Sequence, residues 1–78
     1  MEEIMAEFTV TVMRNGQRIK NAKVRICGSG FFQGHLDETT NSQGQANFNT
    51  SMSSGKIYVN SEIKENSCRF KDDITIHI

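Results

Sequence analysis

Apolar and polar residues alternate along much of this chain with a period of two. In Glu7-Phe8-Thr9-Val10-Thr11-Val12-Met13-Arg14, Phe8, Val10 and Val12 fall on one face and Thr9 and Thr11 on the other. That is the pattern of an antiparallel strand with one face buried. Lys20-Asn21-Ala22-Lys23-Val24-Arg25-Ile26-Cys27 repeats it: Ala22, Val24 and Ile26 point inward, and Lys23, Arg25 and Cys27 outward. Further strands are expected over residues 36–40 and around Ala46 and Phe48. Residues 57–63 read as one strand, with Ile57, Val59 and Ile63 on the same side. A short strand placing Cys68 and Phe70 on one face follows, and Ile74-Thr75-Ile76-His77-Ile78 closes the series. No window carries a helical period of 3.6 residues.

The turns agree with this reading. Proline is absent, so Gly, Asn and Ser must make them. Asn15-Gly16 is a strong hairpin signal. In Thr39-Thr40-Asn41-Ser42-Gln43-Gly44-Gln45-Ala46-Asn47-Phe48, Gly44 allows the positive φ that closes a tight turn, and Asn41 and Ser42 can hydrogen-bond their own backbone. Met52-Ser53-Ser54-Gly55 is expected as another turn, Glu65-Asn66-Ser67 as a break, and Asp72-Asp73 as a bulge or turn. The result is about seven short strands at roughly 8–12-residue spacing, an all-β sandwich or small barrel.

The chain has 78 residues, enough for one domain near the lower size limit of a self-sufficient core. Residues 1–6 are expected as a flexible leader and residues 7–78 as a single β-sandwich domain. Nine basic and nine acidic residues cancel, so no global field draws the chain to nucleic acid or an anionic membrane. No run approaches the roughly 20 apolar residues of a helical membrane span. No signal peptide is visible, which as written points to the cytoplasm. Cell-surface or extracellular placement applies if the chain is exported or cut from a longer protein.

Three motifs occur in order. Asn15-Gly16-Gln17-Arg18-Ile19-Lys20-Asn21-Ala22-Lys23-Val24 follows the first strand, then Thr40-Asn41-Ser42-Gln43-Gly44-Gln45-Ala46-Asn47-Phe48, then Gly55-Lys56-Ile57-Tyr58-Val59. Together, over residues 8–63, they resemble the immunoglobulin-like, prealbumin-like β-sandwich superfamily, which includes carboxypeptidase regulatory-like, CnaB-like and bacterial Ig-like domains. The chain departs from that pattern at Ile19, where many relatives carry proline, and at Gly55-Lys56-Ile57-Tyr58, one residue longer than their Gly-x-Tyr. The resemblance implies an Ig-like antiparallel sandwich of about seven strands and a non-catalytic role as a spacer, adhesion unit or accessory domain. CnaB-like relatives often carry a Lys–Asn isopeptide bond, for which Lys20 or Lys23 with Asn60 and Glu62 would be the components. With Lys23 on the outward face, that bond is not expected here.

The residues add little chemistry. Cys27 and Cys68 lack CxxC spacing and fall on different faces, so free thiols are expected ahead of the alternative, an inter-sheet disulfide formed in an oxidising compartment. His35, Asp37 and Glu38 supply two metal ligands where three or four must converge. No metal, cofactor or catalytic site is expected, and the chain does not read as an enzyme. Lys23 and Arg25 form a basic outer face, but without net charge or stacking aromatics nucleic acid is not the expected partner. Phe31 and Phe32 are adjacent, so at most one enters a core easily. With His35 and Tyr58 they are the candidate partner contacts, the alternative for the pair being core filling or a cap on the open end of the sandwich. The expected function is a module for protein–protein interaction or structure in a surface, adhesive or delivery assembly, through a protein partner or self-association at strand edges. The alternatives are a carbohydrate-binding domain with Tyr58 or a loop phenylalanine as platform, and an enzyme accessory domain.

Overall fold

The computed structural model describes residues 6–28 and 34–78. They fold into β1 (Ala6–Arg14), β2 (Gln17–Arg18), β3 (Lys23–Gly28), β4 (His35–Thr39), β5 (Gln45–Thr50), β6 (Ser54–Val59), β7 (Glu62–Arg69) and β8 (Ile74–His77). Two sheets pack as a β-sandwich. In the first, β1 pairs with β5, β2 and β8; in the second the order is β4-β3-β6-β7. All pairings are antiparallel except β1 with β8, which run parallel from Val10 opposite Ile74 to Met13 opposite His77.

The inward residues of the alternating strands meet between the sheets. Val10, Val12, Val24, Ile26, Ile57 and Val59 are essentially inaccessible to solvent. Phe8 lies between two other rings, with its centroid 5.5 Å from Phe48 and 5.4 Å from Phe70, within the range of favourable aromatic contact. This stack joins β1, β5 and the turn after β7 across the core.

One buried hydroxyl holds the corner between the sheets. Thr40 Oγ1 accepts the Ala22 amide at 2.8 Å and donates to the Ile19 carbonyl at 2.7 Å. The Thr40 amide donates to the Ala22 carbonyl, and the Thr40 carbonyl accepts the Asn21 amide. Next to it, Asn41 Oδ1 accepts the Gln43 and Gln45 amides. Gly44, at φ +73°, donates to the Asn41 carbonyl and presents its own carbonyl to the Val12 amide. Asn15 and Gly16 both take positive φ, 51° and 79°, as a type I′ hairpin requires.

The structure departs from the sequence reading in four places. Eight strands form rather than about seven, the extra one being the two-residue β2. Residues 57–63 are not one strand: Asn60 and Ser61 take positive φ, 51° and 71°, and close a two-residue hairpin between β6 and β7. Ile63 therefore faces outward beside Tyr58 instead of joining the core, and is 42% exposed. Glu65, Asn66 and Ser67 do not break the sheet but lie within β7, whose polar composition suits a strand at a sheet edge. Gly55 is a strand residue of β6, not a turn glycine: a Cβ on it would sit 1.8 Å from the Cys27 carbonyl oxygen, so only glycine fits.

Candidate functional site

The outer face of the second sheet gathers most of the candidate residues. Antiparallel pairing places Lys23 opposite Thr39, Arg25 opposite Asp37 and Cys27 opposite His35. On the other side of β3, Arg25 lies opposite Tyr58, and Tyr58 lies opposite Ile63 on β7. Residues directly opposite in a sheet point to the same face. Four strands therefore present one continuous row, Asp37-Arg25-Tyr58-Ile63, running from charged to aromatic to aliphatic. Lys23, Arg25, Cys27, Asp37, Thr39 and Tyr58 line an open cavity of about 810 Å³.

Arg25 and Asp37 form the strongest polar contact on this face. Arg25 Nε donates to Asp37 Oδ1 at 2.6 Å and Nη2 donates to Oδ2 at 3.2 Å, a bidentate fork. The hydrogen bond from Arg25 holds the Asp37 carboxyl below the usual carboxylate range, and the same bond raises the guanidinium further. His35 Nε2 lies 4.0 Å from Asp37 Oδ2. The basic face expected at Lys23 and Arg25 exists geometrically, but the Arg25 charge is matched by Asp37. What remains is a mixed-charge floor.

Cys27 and Cys68 are free thiols. Cys27 belongs to the outer face, whereas Cys68 packs against the core and its thiol is pushed up, mainly by burial. Among the described residues, no group of three His, Cys, Asp or Glu side chains is placed to hold a metal ion. No described helix is long and apolar enough to cross a membrane. The Lys23 amide donates to Asn60 Oδ1 at 3.0 Å, so the Asn60 side-chain carboxamide accepts from the backbone of β3. Phe31 and Phe32 lie outside the described residues.

The sequence reading brought Lys23 and Arg25 forward as a basic face and His35 and Tyr58 as contact candidates; the register puts all four on one face. It missed Asp37 as the partner of Arg25, and Ile63 as the apolar neighbour of Tyr58. The signal for Ile63 was Asn60-Ser61, since Asn tolerates positive φ and such a pair can close a hairpin without glycine.

In comparisons with known proteins, no family model matched the chain, and neither a curated protein nor a solved structure matched it. Fold and site thus define a class: an all-β protein of two packed sheets with a concave, mixed-charge outer face.

Proposed function

We propose that the chain is a non-catalytic interaction module, an Ig-like β-sandwich that joins a protein partner within a surface, adhesive or delivery assembly. The carrying observation is the row Asp37-Arg25-Tyr58-Ile63. It combines a preformed ion pair, an accessible aromatic ring and an exposed aliphatic side chain on one rigid sheet. Aromatic residues and arginine are the side chains that most often anchor protein interfaces. On the outer face of the first sheet, around the hydrogen bond from Thr9 Oγ1 to Asn47 Oδ1, the described neighbours Glu7, Thr11, Gln45 and Asn49 are polar. The ordered sequence motifs that begin at Asn15, Thr40 and Gly55 support the Ig-like assignment.

The test is site-specific photocrosslinking in the native host. A photoreactive phenylalanine at Tyr58 is expected to give a discrete protein adduct that one at Thr75 does not. Equal adduct patterns at both positions would rule out this face as the contact.

A second reading, carbohydrate binding, is favoured by one observation: Tyr58 is half-buried in the floor of a polar concavity. The chain has one tyrosine and no tryptophan, so its intrinsic fluorescence reports on that ring alone. Titration with a glycan panel would change the emission if sugars stack there. A flat response across the panel removes this reading.

A further inference from the structure

We infer that the module pairs with a second copy of itself along β4, in one defined register. This rests on the interaction-module reading and specifies one of its contacts. The donor of Gly28 reaches the Gly34 carbonyl, and the Thr40 amide reaches the Ala22 carbonyl. In an antiparallel ladder these bonds fix the phase. Residues 34, 36, 38 and 40 turn their peptide groups to β3, so His35, Asp37 and Thr39 turn theirs away from the sheet. Among the described residues, no strand pairs with that side of β4, and all five of its residues are exposed.

The other edge strands carry features that discourage pairing. On β7 the register with β6 shifts twice between Gly55 and Tyr58, and the strand includes Lys64. At the start of β5, Asn41 already bonds both peptide groups of Gln45. β8 has four residues. β4, His35-Leu36-Asp37-Glu38-Thr39, contains no lysine, no proline and no bulge. It also holds Leu36, 38% exposed, one of the two large exposed apolar side chains among the described residues.

The edge is self-complementary. A two-fold antiparallel pairing centred on Leu36 sets Leu36 opposite Leu36, and sets each His35 opposite the other copy's Asp37. Glu38 then faces Gly34. The alternative centred on Asp37 sets carboxylate against carboxylate and Leu36 against Glu38. The one centred on Glu38 again opposes like charges, which is unfavourable directly across a ladder. Charge and apolar matching therefore select the Leu36-centred register. It joins two four-stranded sheets into one eight-stranded sheet and makes the two concave outer faces continuous.

The experiment is sedimentation equilibrium on the full chain, with three variants. The native chain is expected to show a concentration-dependent monomer–dimer equilibrium. His35→Pro removes an amide that points off the edge, which an edge strand tolerates; the variant is expected to be monomeric, with the melting midpoint that the native chain shows at dilutions where it too is monomeric. Leu36→Cys is expected to form a disulfide-linked dimer under mild oxidation beyond the level given by native Cys27 and Cys68. Opposed residues of that non-hydrogen-bonded pair lie about 4.5 Å apart at Cα, within bridging range. A native chain that is monomeric up to its solubility limit overturns the inference, and leaves the interaction-module reading to its own crosslinking test. So does a native dimer that His35→Pro leaves intact. Crosslinking by Asp37→Cys in place of Leu36→Cys overturns the register.

Discussion

The hydroxyl of Thr40 takes the place of a backbone carbonyl for Ala22: Oγ1 accepts the Ala22 amide at 2.8 Å where the ladder between β3 and β4 has ended. The same oxygen donates to Ile19, so both functions of the group are used inside the protein. A valine at this position would fill nearly the same volume while leaving a buried donor and a buried acceptor unmet. Thr40→Val is expected to cost about 1–3 kcal/mol. Chemical denaturation would show it as a lower midpoint, and an unchanged midpoint would contradict this role.

Gly55 sets a stricter limit. With the Cys27 carbonyl oxygen 1.8 Å from where a Cβ would stand, even Gly55→Ala must push β3 and β6 apart at their Gly28–Gly55 pairing. The expected loss is about 3 kcal/mol or more, the upper end for overpacked sites, in a domain of marginal size. Circular dichroism melting of the alanine variant checks this; native-like melting would mean the two strands can separate cheaply.

Gly44 is constrained by conformation as well as space. Its φ is +73°, and a Cβ would approach the Val12 carbonyl oxygen at 2.9 Å and Arg18 Cβ at 3.0 Å. Gly44→Val is expected to destabilise the fold by more than about 1 kcal/mol. Equilibrium unfolding in urea provides the measurement, and a variant as stable as the native chain would refute the turn's role.

The Arg25–Asp37 pair predicts a small acid dependence. The carboxyl is held below its usual range by the Arg25 hydrogen bond, so its folded value lies below its unfolded one. Its contribution is therefore present above the usual carboxylate range and is lost as pH falls through the lowered folded value. Both side chains are about half exposed, so screening keeps the effect small. The melting difference between native chain and Asp37→Asn is expected to shrink as pH drops. An Asp37 titration by nuclear magnetic resonance at or above the ordinary range would contradict the pairing.

The parts legible in the sequence were those where burial on one face imposes alternation. Phe8, Val10 and Val12, and Ala22, Val24 and Ile26, had to be apolar because they meet across the core, so β1 and β3 could be read directly. β7 was illegible for the opposite reason. As an edge strand with few buried positions, it tolerates Glu65-Asn66-Ser67, and nothing in those residues marks a strand. Gly55 was misread because a glycine that permits close backbone approach looks, in sequence, like one that permits a turn. The outer face followed a similar rule. Arg25 and Tyr58 could be named singly, but their alignment with Asp37 and Ile63 depends on cross-strand register, which no local pattern encodes.

The parallel pairing of β1 with β8 has a mechanical consequence. Because the two strands run the same way, the start of β1 and the end of β8 lie at opposite ends of their shared ladder. Tension between those points loads the ladder in shear, across all its bonds at once, rather than unzipping it one bond at a time. The Met13–Ile78 bond at one end and the Thr9–Asp73 bond at the other extend the region that must yield together.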